Sequence, residues 1–298
     1  VKPRNNSNSL LLFFCLAFSL SSCELINPEE ELPAYLYIQE FNLQTNESAE
    51  GSDSEKITEA WLSVDGRFLG AYPLPARVPV LAAGEQEISL QAGIRDNGIS
   101  STPEVYPFYR TFRQNVALSP LTTDTLRPQT GYTDNTTFAF IEDFEQGAPI
   151  FQDIRIGTTD NEMRTVEDVV FEGQASGRIR LDAMSPAAEL ATTTRFRNLT
   201  ANSPFVYLEL NYRSEVPVVW GLIGFRDGVP GTGTPLFDPG FRASEEWNKI
   251  YFNLSPLLAT GNFDAYQIAL QAVLPQEDGE FTQPEAFVWL DNIKLVHF

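Results

Sequence analysis

The side chains that most often run hydrolytic chemistry are scarce in this 298-residue chain. There is one histidine, His297, beside the last residue, and no Gly-x-Ser-x-Gly turn to present a nucleophile. A Ser-His-Asp or Cys-His site therefore has no parts to assemble from. Two cysteines, Cys15 and Cys23, and that single imidazole are too few for a transition-metal site. A Walker loop and a dinucleotide fingerprint are both absent. What the chain holds in quantity is carboxylate, 40 Asp plus Glu against 20 Lys plus Arg. A glycosidase needs only two acids at the right separation. No acid here stands in a motif that marks it as a general acid, so the expectation is a protein that is not an enzyme. The net charge of -20 repels polyanions and argues against a nucleic-acid partner.

Planar polar side chains alternate with apolar ones in several short runs. Tyr207, Glu209, Asn211 and Arg213 alternate with Leu208, Leu210 and Tyr212; Arg178 and Arg180 with Ile179 and Leu181; Gln267 and Gln271 with Ile268 and Leu270. A strand sends successive side chains to opposite faces, so each polar set shares one face, expected to face solvent. These three sets form a candidate ligand-binding surface. Trp220 is its candidate stacking platform, although it stands in Val218–Phe225, a run apolar on both faces that better suits a buried strand.

The elements that carry these residues are β-strands. Hydrophobic residues make up 43% and aromatics 12%, enough for a real core. From Tyr35 to about Pro128, β-prone runs such as Tyr35–Ile38, Ala60–Val64 and Glu87–Ala92 alternate with turn residues. Asp65-Gly66 marks a hairpin, Ser48–Lys56 reads as an exposed polar loop, and the aromatics at 106, 108, 109 and 112 suit core packing. Ser119–Thr137, with little periodicity, closes this unit. Further strands are expected at Phe138–Glu145, Ala175–Leu181, Phe205–Arg213, Val218–Phe225, Lys249–Leu254, Ala265–Val273 and Phe287–Leu295, with no helix after the N-terminal segment. The division is residues 34–128, a linker at 129–137, and residues 138–298.

Residues 1–22 have a signal-peptide pattern: Lys2 and Arg4, the apolar run Leu10–Leu20, then small residues. The run is about half of the ~20 residues that cross a bilayer as a helix. Leu20-Ser21-Ser22-Cys23 resembles the lipobox of bacterial lipoproteins, which implies cleavage before Cys23 and a lipid on its thiol. An ordinary secretory peptide is the competing reading. Cys15 would leave with the peptide, so no disulfide would remain. Residues 23–33 form an acidic tether, and acids directly after the cysteine resemble the surface-export signals of Bacteroidota lipoproteins. The implied location is the outer membrane, lipid-anchored, at the cell surface, with the periplasmic face left open.

The stretch Ala60–Tyr109, densest at Gly98-Ile99-Ser100 and Tyr106-Pro107-Phe108-Tyr109, resembles the immunoglobulin-like domain found at the start of many Bacteroidota lipoproteins. Asp124-Thr125-Leu126 matches the O-glycosylation acceptor pattern of that group, with Thr125 as the acceptor; a three-residue pattern also recurs by chance. The second unit resembles a galactose-binding-domain-like jelly roll, the fold of many carbohydrate-binding modules. Its opening Asp143-Phe144-Glu145, Glu172-Gly173-Gln174-Ala175-Ser176-Gly177, Trp247 before Ile250–Leu254, and the closing Leu290-Asp291-Asn292-Ile293 carry the likeness.

The resemblance implies an all-β chain, an immunoglobulin-like β-sandwich followed by a jelly roll, that binds glycan or cell-surface ligands. It also implies one structural Ca²⁺ where the first and last strands meet, at Asp143, Glu145, Glu172 and Asp291; the alternative is that Asp291 and Asn292 cap a strand end locally. A protein-binding accessory subunit of an outer-membrane uptake or secretion complex is the second functional reading.

Overall fold

The computed structural model describes residues 30–101, 103–229 and 233–298. Cys23 and the signal segment lie outside the described residues. The described residues are mostly β, with short helices at Glu47–Glu50 and Ser255–Gly261 and a 3₁₀ turn at Thr159–Asn161. The two short helices depart from the helix-free expectation. The second has proline in its first turn and Asn262 in the left-handed conformation at its end, start and stop signals too closely spaced to produce a periodic pattern.

The N-terminal unit is a β-sandwich. One layer has Ala34–Ile38 between Ala76–Val80, antiparallel, and Thr123–Leu126, parallel. The other layer centres on the long strand Gly84–Arg95, which pairs with Glu59–Val64 on one side and with Pro103–Val105 and Phe112–Leu118 on the other. Ala34, Leu36 and Ile38 from the first layer meet Leu62, Ile88 and Leu90 from the second in one buried cluster. Asp65 and Gly66 both take positive φ between Glu59–Val64 and Arg67–Pro73, the geometry a tight hairpin turn needs.

The C-terminal unit is a jelly roll of two antiparallel sheets. The six-stranded sheet runs Arg164–Val166, Ser176–Asp182, Glu285–His297, Val206–Ser214, Ser244–Asn253, with Thr137–Glu142 also on Glu285–His297. The five-stranded sheet runs Asp153–Ile156, Ala187–Ala191, Ala265–Val273, Val218–Phe225, Thr234–Phe241. Their facing sides form the second core, where Leu208, Leu210, Val288 and Leu290 meet Trp220, Leu222, Ile268 and Leu270.

The two units share a buried junction. Tyr207, Tyr251 and Val296 of the jelly roll belong to the same apolar cluster as the N-terminal core. The aromatics Tyr106, Phe108 and Tyr109 are packed there, with Tyr106 5.2 Å from Tyr207 and 5.0 Å from Tyr251, centroid to centroid. The segment expected as an exposed loop docks instead. Ser52 is buried, Ser54 Oγ accepts from Asn211 Nδ2 at 2.9 Å, and Lys56 N donates to the Tyr251 hydroxyl at 3.0 Å. Tyr132, in the stretch read as a linker, is 1% exposed and packs at 4.9 Å on Phe138.

Candidate functional site

The alternation in Val206–Ser214 is as expected, but its polar face does not reach solvent. Leu208 and Leu210 point into the jelly-roll core, and Tyr207, Glu209 and Asn211 point outward at 3%, 0% and 1% exposure. The N-terminal domain covers them. Tyr106 Oη donates to Glu209 Oε1 at 2.6 Å, and Tyr132 Oη lies 2.9 Å from each carboxylate oxygen. Tyr207 Oη donates to Asp96 Oδ1 at 2.9 Å. Lys249 Nζ stands 3.5 Å from Glu209 Oε2, and Lys294, in register with Glu209, donates to Ser52 O at 2.6 Å. Burial pulls the Lys294 ammonium down to about 8 and lowers that of Lys249 as well, against the opposing pull of Glu209. Strand periodicity gives the side of a sheet and says nothing about what a second domain lays on it. The three residues therefore act as junction residues.

The other expected ligand residues divide three ways. Trp220 is 0% exposed, between Phe151 and Phe252 in the core. Arg178, Arg180 and Arg213 lie on the part of the six-stranded face beyond the junction. Arg178 and Arg213 are both in register with Trp289, from opposite sides, and Arg213 sits 5.2 Å over that ring. Arg180 is held by Glu285 at 3.1 Å and Asp182 at 2.9 Å.

Gln267 and Gln271 project from the outer face of the five-stranded sheet, and the structure gathers there the groups that their spacing alone could not show. Gln267 Nε2 donates to Asp153 Oδ2 at 3.0 Å and Thr192 O at 2.5 Å. These two acceptors fix the amide orientation and leave Oε1 buried without a hydrogen-bond partner. Arg155 lies between Asp153 at 3.5 Å and Glu189 at 3.4 Å, and Gln271 Nε2 is 3.5 Å from Glu189 Oε2. The cross-strand row beside them is small, with Ala191 opposite Ala269 and Ala269 opposite Gly221. Gly221 then pairs with Phe237 of the edge strand, whose ring is half-buried against the cluster of Ala191, Ile223, Phe225, Ala265 and Ala269. A Cβ on Gly221 would collide with the Leu236 carbonyl, so glycine is what lets the edge strand close over this face.

The face opens at one end into a groove of about 480 Å³ lined by Pro217, Val219, Gln271, Val273, Leu274, Pro275 and Gln276. The arrangement is a half-buried aromatic ring packed over a row of small residues that is itself buried, with carboxylate, amide and guanidinium groups along the border. Asp153, Arg155 and Glu189 escaped sequence reasoning. Asp153 and Arg155 stand two apart in a four-residue strand, too short for a pattern. Phe237 falls in Asp227–Gly240, whose four glycines and three prolines read as a loop able to rim a ligand or partner; the structure makes Thr234–Phe241 a strand instead.

The expected calcium ligands are satisfied from within the fold. Asp291 accepts from the Phe171, Glu172 and Asn292 amides at 3.2, 3.3 and 2.8 Å. Glu145 Oε1 accepts from Gln174 N and Ala175 N at 2.7 and 3.1 Å. Glu172 Oε2 accepts from the Ser52 hydroxyl and from Asn292 Nδ2, and Asp143 turns back on Glu145 N at 3.1 Å. Among the described residues no group of three or more Asp, Glu, His or Cys could hold a metal ion. Burial pushes the Asp291 carboxyl up to about 7 in spite of its three amide bonds. Thr125 is exposed in Thr123–Leu126, and His297 Nδ1 is 3.0 Å from Phe298 O.

No family model matches the chain, and no curated protein matches it. Among solved structures, the CBM22-1 xylan-binding domain of Paenibacillus barcinonensis Xyn10C is similar at 12% identity over 55% of this chain and 96% of that one, with a TM-score of 0.34. A family 30 carbohydrate-binding module of a Clostridium thermocellum cellulosomal cellulase is similar at 12% identity over 52% and 96%, TM-score 0.39. TmCBM61, solved with β-1,4-galactotriose, is similar at 14% identity over 52% and 94%, TM-score 0.33.

Proposed function

We propose that this chain is a non-catalytic, lipid-anchored protein of the outer membrane that binds glycan on the outer face of the five-stranded jelly-roll sheet. The observation that carries the reading is Gln267, 4% exposed, with a buried Oε1 that lacks a donor. An unsatisfied buried acceptor costs about 1–3 kcal/mol, a cost that a ligand hydroxyl recovers once the side chains covering Oε1 move aside to admit it. Sugar hydroxyls both donate and accept. The border matches them with acceptors on Asp153, Glu189 and Gln267 and donors on Arg155 and Gln271, while Phe237 offers a ring for the apolar face of a pyranose. Cys23 is the proposed anchor.

The test uses residues 24–298 with both domains, screened against neutral and acidic polysaccharides. Saturable binding that Gln271→Ala weakens roughly tenfold, the worth of about 1.4 kcal/mol, supports the reading. An unaltered affinity in that variant removes the site. The second reading, a protein-binding subunit of an envelope complex, has one observation in its favour. The six-stranded face beyond the junction carries two aromatic pairs, Phe171 with Trp247 and Phe287 with Trp289, ring centroids 5.7 Å and 5.5 Å apart, and Trp289 is itself buried.

A further inference from the structure

One end of the N-terminal sandwich carries apolar side chains that neither the junction nor the polar site uses. Leu32, Leu81 and Leu121 are 57%, 65% and 65% exposed. Strand pairing brings them together. Ala34 is in register with Val80, so Leu81 continues beside Pro33. Leu121 N donates to Pro33 O at 2.8 Å. With Ala34–Ile38 in the middle of its three-stranded sheet, the leucines end three adjacent strands, about 4.8 Å from one strand to the next. Leu81 also lines a groove of about 540 Å³ in which Leu69, Tyr72, Val80 and Ala82 are joined by Asp65, Arg67 and Gln86. Single exposed leucines are ordinary on a soluble surface; three at one pole form a contact patch.

Two relationships orient this pole. Cys23 precedes Leu32 by nine residues, so the tether leads straight to it. The jelly roll docks at the opposite pole. Gly84, opposite Leu118, begins the strand that ends at Arg95, and Asp96 then bridges to Tyr251 of the jelly roll. Twelve residues at about 3.3 Å each put roughly 40 Å between the two ends.

We infer that the Leu32, Leu81 and Leu121 pole rests on the lipid surface that holds the acylated cysteine, with the leucines immersed at the interface and the jelly roll held on the far side. This rests on the reading that Cys23 is acylated. Glu30, Glu31 and Glu85 flank the pole, so the contact is apolar and draws nothing from anionic lipid, and the lipid on Cys23 and the apolar patch act together.

The experiment places spin labels on Leu81→Cys and Leu121→Cys, and on Met184→Cys as a control, since Met184 is 92% exposed on the jelly roll. Each acylated protein is bound to phosphatidylcholine vesicles. The expected result is that labels at 81 and 121 relax with oxygen more than with a water-soluble nickel chelate, while the label at 184 shows the reverse. Labels at 81 and 121 that behave like the one at 184, on protein whose acyl chain is confirmed by mass, overturn the contact and leave the anchor standing. A mature protein without an acyl chain overturns both.

Discussion

Tyr106 donates its hydroxyl to Glu209 Oε1 at 2.6 Å, across the junction of the two domains and 103 residues along the chain. Glu209 is the hub of a buried set that also holds Tyr132, Lys249 and Lys294. A buried charge pair adds little over apolar packing, but removing one partner strands the other. The hub therefore fixes the orientation of the domains more than it adds stability.

Glu209→Ala leaves Lys249, and Lys294 beside it, without their carboxylate. The expected loss is about 3–5 kcal/mol in chemical denaturation. Tyr106→Phe removes one hydrogen bond to that charged group and should cost about 1.5–3 kcal/mol. Equal and small losses in the two variants would show that Glu209 is not the hub.

Residues 138–298 alone should be less stable than the same residues in the full chain. The cut exposes Tyr207, Tyr251 and Val296, and leaves Glu209 without its two tyrosine donors. Limited proteolysis checks this, and equal protection of the jelly roll in both forms would contradict a shared core.

How much of this was legible in the sequence follows from the range over which each signal acts. The strand alternation at Tyr207–Arg213 and the Asp65-Gly66 hairpin depend on neighbouring residues and could be read directly. The cover over Glu209 comes from Tyr106 and Tyr132, far along the chain, and an exposed strand face looks the same as one under a second domain. Gln267 and Gln271 were legible as a pair on one face. Their partners Asp153, Arg155 and Glu189 are assembled by sheet order, which alternation does not encode. The closing Asp291-Asn292 pair read as well as a metal ligand as a cap. The backbone amides of Phe171 and Glu172 that Asp291 accepts from come from a loop far along the chain, which the local spacing of Asp291-Asn292 does not encode.

Stability should fall as pH rises from about 4 to about 7. Burial holds the folded Asp291 carboxyl up at about 7, and raises Glu55 and Glu142 as well. In that window the native state binds more protons than the unfolded state, so each step up in pH favours unfolding. Melting temperatures at pH 5 and 7.5 check the sign. Asp291→Asn should flatten the difference, and a protein more stable at pH 7.5 than at pH 5 would contradict it.

EDTA should leave the melting temperature unchanged, because backbone amides and side chains of the fold already satisfy Asp291, Glu145 and Glu172. A fall of several degrees, restored by calcium, would place a cation in the structure after all.

Replacing Cys23 by Ala should move the protein from the membrane fraction to the soluble one. Retention in the membrane would leave the anchor elsewhere.

The central claim is that the jelly roll binds glycan on the five-stranded face and not on the covered one. The most direct measurement is titration of the best glycan from the screen into residues 24–298 and into the Phe237→Ala and Arg213→Ala variants. The account predicts about a tenfold weaker affinity for Phe237→Ala, from a lost ring contact of about 1.4 kcal/mol, and an unchanged one for Arg213→Ala. Loss of binding in Arg213→Ala with Phe237→Ala unaffected would move the site to the strip around Trp289 and contradict the account.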